Sequence, residues 1–121
     1  MSPPGRPKVE SRSAKREGSP VSQPSLIDDR EARRYRLLVN GQEVGFVEYD
    51  PVGEDSILIK HTEVLTQHEG KGYGSQLVRQ VLDDVRSRGL TVIPICPYAL
   101  NYLRRHPEYR DVVRAELRGT L

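Results

Sequence analysis

A strand-type pattern and a helix-type pattern meet across Gln67-His68-Glu69-Gly70-Lys71-Gly72-Tyr73-Gly74, and this junction restricts the possible folds more than any other feature of the chain. Upstream, Ser56 to Val64 (SILIKHTEV) is β-rich, and simple alternation puts Ile57, Ile59, His61 and Glu63 on one face. Downstream, Leu77, Val78, Val81, Leu82 and Val85 recur at helical spacing, with Ser75 as the expected N-cap and Gly89 as the stop. A short β-rich run, Leu90 to Ile95 (LTVIPI), comes next. Strand, helix and strand in succession predict a right-handed crossover between parallel neighbours. The glycines of the junction permit a tight path and close approach, so backbone N–H groups and the positive end of the helix dipole can converge on a phosphate. Spacing excludes two common phosphate readers: G-x-G-x-x-G would need glycine where Ser75 stands, and a P-loop would need G-K-[ST] where Gly70-Lys71-Gly72 stands. A glycine-rich turn with no ligand is the competing reading.

Ahead of the junction, Arg34 to Val39 (RYRLLV) alternates and meets Asn40-Gly41, a strong hairpin signal, with a second strand expected over Glu43 to Tyr49. Asp50-Pro51 and Gly53 mark a turn into Ser56 to Val64, which completes an antiparallel meander. After Cys96-Pro97, a short helix is expected from Tyr98 to Arg105, and Tyr109 to Leu117 fits helix or strand equally. The fold class is therefore α/β (α+β): a mixed, mostly antiparallel sheet with one βαβ crossover and two to three helices.

Composition divides the 121 residues unevenly. Residues 1–24 hold five basic side chains (Arg6, Lys8, Arg12, Lys15, Arg16) against Glu10 and Glu17, a net +3, while the other 97 sum to −1. The same stretch has five of the nine prolines and, as large aliphatics, only Val9 and Val21, too little apolar surface to offset ordering entropy. Residues 1–27 are expected to be a disordered Pro/Arg/Ser-rich tail, and residues 28–121 one domain. A single cysteine, Cys96, excludes an intrachain disulfide and points to a reducing, cytoplasmic setting. No metal site is expected, because His61, Glu63, His68 and Glu69 lack H-E-x-x-H spacing. The longest uncharged run, Gly89 to Leu103, is shorter than the ~20 apolar residues of a membrane span and is broken by Pro94 and Pro97.

Gln67-x-x-Gly70-x-Gly72 resembles the Q/R-x-x-G-x-G/A motif of the GNAT acetyltransferase superfamily, in its expected place between a strand and a helix. Val92-Ile93-Pro94-Ile95-Cys96-Pro97-Tyr98, Tyr102 and Arg105-His106-Pro107-Glu108-Tyr109 are similar to its minimal "N-acetyltransferase domain-containing" branch. The resemblance spans about residues 34–113 and implies that acetyl-CoA lies in the splay between two parallel strands. By position, Gln67, His68, Gly70, Lys71, Gly72, Tyr73, Gly74 and Ser75 would hold the pyrophosphate, and the strand edge at Glu63, Val64 and Leu65 would pair with the pantetheine. Arg104 and Arg105 would either meet the 3'-phosphate of CoA or face solvent. Most members place a strand and two helices before the hairpin to cover the acceptor. Here the tail and a few residues occupy that place, so an open acceptor side is expected, which favours a large or loosely selected acceptor such as a protein lysine or terminus over a small-molecule pocket.

Acetyl transfer to an amine needs a deprotonated amine, a stabilised thioester carbonyl oxygen and a protonated leaving thiolate. The candidates are Cys96 as acetyl carrier or small buried residue, and His61 as base or hydrogen-bonded core histidine, with Glu63 competing as base. Tyr102 resembles the family's thiolate-protonating tyrosine, with helix packing the alternative. The expected function is an acetyl-CoA-dependent N-acetyltransferase, monomeric or weakly dimeric; the alternative is a non-catalytic acyl-CoA-binding or sensing module. Nucleic-acid binding is disfavoured, since the body is slightly acidic and lacks a basic aromatic stripe.

Overall fold

The computed structural model describes residues 24–121; residues 1–23 of the expected tail lie outside it. Five strands form one sheet in the order β1 (Ser25–Asp29), β2 (Arg34–Val39), β3 (Gln42–Val52), β4 (Ser56–Val64) and β5 (Thr91–Pro94). The first four are antiparallel neighbours, and β5 joins β4 in parallel. Helix α1 (Tyr73–Ser87) makes the crossover and α2 (Pro97–Arg105) follows β5. Asn40 and Gly41 both take positive φ, 55° and 76°, as a tight hairpin turn of matching twist requires. No helix among the described residues is long and apolar enough to cross a membrane.

The core lies between the sheet and α1. Leu77, Val78, Val81, Leu82 and Val85 are all buried, at 0–2% exposure, and they pack with Tyr35, Leu37, Val47, Ile57, Ile59 and Val92. Each fully buried aliphatic contributes ~1.5–3 kcal/mol, so this one helical face accounts for a large share of the driving force.

The sheet begins at Ser25, three residues before the expected domain start at 28. Leu26 packs against the core, and Asp28 accepts the Tyr49 hydroxyl at 2.6 Å and pairs with Arg88 at 2.9 Å. These partners lie 21 and 60 positions away, so local composition does not reveal them. The segment left open at Tyr109 to Leu117 is neither a regular helix nor a strand. Two 3-10 turns, Pro107–Val112 and Ala115–Thr120, flank a single parallel bridge from Val113 to Val92. Arg86 clamps the first turn by bonding Asp111 and the Glu108 carbonyl and lying 5.0 Å over the Tyr109 ring.

Three buried tyrosines donate to carboxylates: Tyr35 to Asp84 at 2.8 Å, Tyr49 to Asp28 at 2.6 Å and Tyr109 to Asp83 at 2.7 Å. Burial first, and the carboxylate bond second, hold all three hydroxyls above the usual tyrosine range, with Tyr109 pushed up to about 12. A pKa raised on folding gives stability that is complete below the unfolded value and is lost as pH rises through the folded one. Stability is therefore expected to fall above about pH 10, by up to ~1.4 kcal/mol per pH unit for each tyrosine. Urea titrations between about pH 9 and 11 check this, with Tyr35→Phe flattening the decline; constant stability across that range would refute it.

Candidate active site

At the C-terminal end of β4 the sheet opens. Pairing with β5 stops at Ile59 opposite Pro94, with one further bond from the Ile95 N–H to the Ile59 carbonyl. Beyond it β4 continues to Val64 while the other chain turns into α2 at Pro97. A cavity of about 500 Å³ fills this end, lined by Thr62, Glu63, Val64, His68, Glu69, Gly70, Gly72, Tyr73, Gly74 and Tyr98. The rest of the wall is the glycine loop, which carries a short 3-10 turn at Thr66–His68 before α1.

The helix start is built to face an anion. Gly72 is the N-cap in place of Ser75, with φ 78°, and no side chain caps the first turn. A left-handed turn here swings the chain into α1 three residues earlier than a serine cap would. Ser75 therefore lies inside the first turn, and the N–H groups of Tyr73, Gly74 and Ser75 are left without a side-chain acceptor. His68 Nε2 is buried and has no hydrogen-bond partner. An orphaned buried nitrogen is costly unless a ligand satisfies it. Uncapped helix N–H groups beside an orphaned imidazole nitrogen fit a pyrophosphate-bearing molecule such as CoA.

Among the residues expected at the site, Glu63, Val64, His68, Gly70, Gly72, Tyr73 and Gly74 line the cavity together. Leu65, Gln67, Lys71 and Ser75 flank it in sequence without lining it, and Arg105 stands exposed near the C-terminal end of α2. Cys96 is the N-cap of α2, 3% exposed, with its thiol 3.5 Å from Thr62 Oγ1. It thus sits one side chain behind the cavity wall.

His61 and Glu63 depart from the expected apolar face. The register shifts between Glu48 and Tyr49, so that Ile59 pairs with Tyr49, His61 with Glu48, and Lys60 with neither. A bulge of one residue reverses the alternation beyond it. Thr62 and Val64 turn to the α1 side, while His61 joins Phe46 and Arg34 on the far face; Glu63 pairs with it there at the cavity's rim, and both are about half exposed. There His61 Nε2 lies 3.1 Å from Glu63 Oε1.

Tyr102 lies away from the cavity. Its ring stacks on His106 at 4.1 Å, it is 3% exposed, and it does not line the cavity. Burial raises its pKa. Tyr98, one helical turn earlier, lines the cavity with its hydroxyl against Gly74: a Cβ built there would lie 2.2 Å from that oxygen. The i, i+4 spacing of Tyr98 and Tyr102 is visible in the sequence, but which of them faces the cavity depends on how α2 is rotated.

The family model described as GCN5-related N-acetyl-transferase matches residues 34–112. Protein NATD1 of Mus musculus is 28% identical over 96 residues, covering 78% of this chain and 84% of its own length. The Homo sapiens counterpart is 29% identical over 80 residues, 65% and 71% respectively. Among solved structures, a GCN5-like protein from Staphylococcus aureus is 25% identical with a TM-score of 0.54, over 68% of this chain and 81% of that one. The Escherichia coli ribosomal-protein-S18-alanine N-acetyltransferase, 18% identical with a TM-score of 0.50 over 60% and 49%, shares the fold. The matched span takes in the meander, the glycine loop, the crossover and α2, and the chain belongs to the GCN5-related N-acetyltransferase family.

Proposed function

We propose that this protein is an acetyl-CoA-dependent N-acetyltransferase acting on an amine, either a protein lysine or terminus or a small amine. One observation carries the reading: an uncapped helix start, a buried unpartnered His68 Nε2 and the open end of β4 meet around one cavity. Backbone N–H groups from Gly70 to Ser75 would hold the pyrophosphate, with Gln67 and Lys71 beside them. The β4 edge from Glu63 to Leu65, turned away from β3, would pair with the pantetheine. Acetyl-CoA supplies the acyl group as an activated thioester. The exposed His61 and Glu63 pair can take the amine proton from the open face of the sheet. Tyr98 is assigned to protonate the thiolate, because its hydroxyl reaches the cavity while the Tyr102 ring is held by His106. Cys96 remains a candidate acetyl carrier, separated from the cavity by Thr62.

Titration calorimetry with acetyl-CoA and CoA tests the cofactor, and no binding at about millimolar ligand ends the proposal. Binding without transfer to any amine would leave the alternative, an acyl-CoA-binding module. For the acid, Tyr98→Phe is expected to lower kcat by roughly a hundredfold, the low end for a general acid because a thiolate leaves readily. Tyr102→Phe is expected to stay within about twofold, since no hydrogen bond among the described residues uses its hydroxyl. Steady-state kinetics showing the reverse order would return the role to Tyr102.

A further inference from the structure

We infer that Gly74 is a positioning residue for Tyr98: the space left by its missing side chain, at the second residue of α1, is the seat that holds the tyrosine hydroxyl at the cavity; this rests on the N-acetyltransferase reading above, in which Tyr98 protonates the leaving thiolate. Glycine at this position is not explained by the backbone. Gly70 and Gly72 take positive φ, 82° and 78°, which favours glycine, but Gly74 lies inside α1 and makes no such demand. Within a helix, glycine is disfavoured relative to alanine. The contact on its open side supplies the reason: a Cβ built on Gly74 would overlap the Tyr98 hydroxyl oxygen and lie 2.7 Å from Cζ and 3.4 Å from Cε1. Nothing lies within 4 Å of a Cβ built at Gly70 or Gly72. The tip of the Tyr98 ring fills the place of a side chain at Gly74, and both residues line the cavity.

No hydrogen bond does this work instead. The hydroxyls of Tyr35, Tyr49 and Tyr109 are fixed by carboxylates at 2.8, 2.6 and 2.7 Å, whereas no side chain among the described residues bonds that of Tyr98, which is 40% exposed. The other end of the side chain is rigidly attached. Pro97 opens α2, and Ala99, Tyr102 and Leu103, all buried, fix the rotation of that helix against the core. The place of the hydroxyl therefore depends on two side-chain torsions and on the surface against which the ring rests. That surface is the first turn of α1, anchored by the buried Leu77 and Val78 that follow it.

In the step this contact serves, the Tyr98 O–H bond breaks as the carbon–sulfur bond of the thioester breaks. The proton goes to the departing sulfur, and the tyrosinate then takes a proton from water. Such a transfer needs the oxygen within about 2.6–3.2 Å of the sulfur's approach, and a misplacement of about 1 Å is costly. A methyl group at position 74 imposes one. The anchored helix holds, and the half-open ring turns toward solvent. Alanine keeps the backbone N–H of position 74, so the anion-facing turn is unaltered.

The test compares the full chain with Gly74→Ala, Tyr98→Phe and the double variant. Acetyl-CoA binding is read by calorimetry, and steady-state rates are read on whichever of a lysine peptide, a free peptide N-terminus or a small primary amine the unsubstituted protein acetylates. Gly74→Ala is expected to lower kcat by about tenfold or more, toward the Tyr98→Phe value, with the acetyl-CoA Kd within about twofold and the melting temperature not lowered. Added to Tyr98→Phe, the same substitution should change kcat by less than about twofold, because no hydroxyl is left to displace. A kcat that Gly74→Ala leaves intact while Tyr98→Phe is impaired overturns the inference alone. So does a loss confined to Kd, which would assign Gly74 to the pyrophosphate, a multiplied loss in the double variant, or a Gly74→Ala protein that does not fold. Full kcat in Tyr98→Phe overturns the acid assignment with it, and transfer to none of the three acceptors overturns the parent reading as well.

Discussion

Gly72→Val is expected to weaken acetyl-CoA binding by about ten- to a hundredfold. At φ 78° the residue sits in the left-handed region, where a β-branched side chain costs ~1–3 kcal/mol, and each 1.4 kcal/mol is a factor of ten in affinity. The chain can relieve that strain only by shifting the loop. Doing so turns the first-turn N–H groups of α1 away from the cavity, so the loss appears in binding and not in stability alone. Calorimetry with acetyl-CoA reads the change, and circular dichroism shows that α1 persists. Gly119→Ala is the control, because nothing lies within 4 Å of an added Cβ there. An unchanged Kd in a folded Gly72→Val protein would remove the loop from the cofactor site.

Leu82→Ala is expected to destabilise the fold by ~2–5 kcal/mol, the cost of removing a fully buried leucine and leaving a cavity. A domain of this size has a total stability of about 5–15 kcal/mol, so a single substitution on α1 removes much of it. Each kcal/mol lowers the melting temperature of a domain near 100 residues by roughly 4–8 °C. The urea midpoint should drop with the m-value unchanged, whereas Arg79→Ala, at an exposed position of the same helix, should stay within about 0.5 kcal/mol. A loss below about 1 kcal/mol at Leu82 would mean that α1 is not the principal cover of the sheet.

Legibility differed between parts of the site. The glycine loop could be read because its requirements are local: glycines that let the backbone turn, followed at once by a helix that begins without a capping side chain. The catalytic candidates depended on which way a side chain points, and that is not local. His61 and Glu63 left the apolar face because β4 carries one unpaired residue, Lys60, opposite β3. Nothing in SILIKHTEV distinguishes a bulged strand from a regular one, since the bulge is a property of the pair. Tyr98 and Tyr102 are one turn apart on a nine-residue helix, and the stack of Tyr102 on His106 leaves Tyr98 toward the cavity. β1 is not legible in the local sequence, because the partners that grip Asp28 are far away along the chain.

From the sequence alone come the meander, the crossover helix, the glycine loop and the family. Periodicity, turn chemistry and glycine placement act over a few residues, and the backbone obeys them wherever the segment ends up. Tertiary structure decided where the domain begins, which side of β4 carries His61, and which tyrosine reaches the cavity. Those outcomes depend on strand register and helix rotation, which are settled by pairing and packing between segments tens of residues apart.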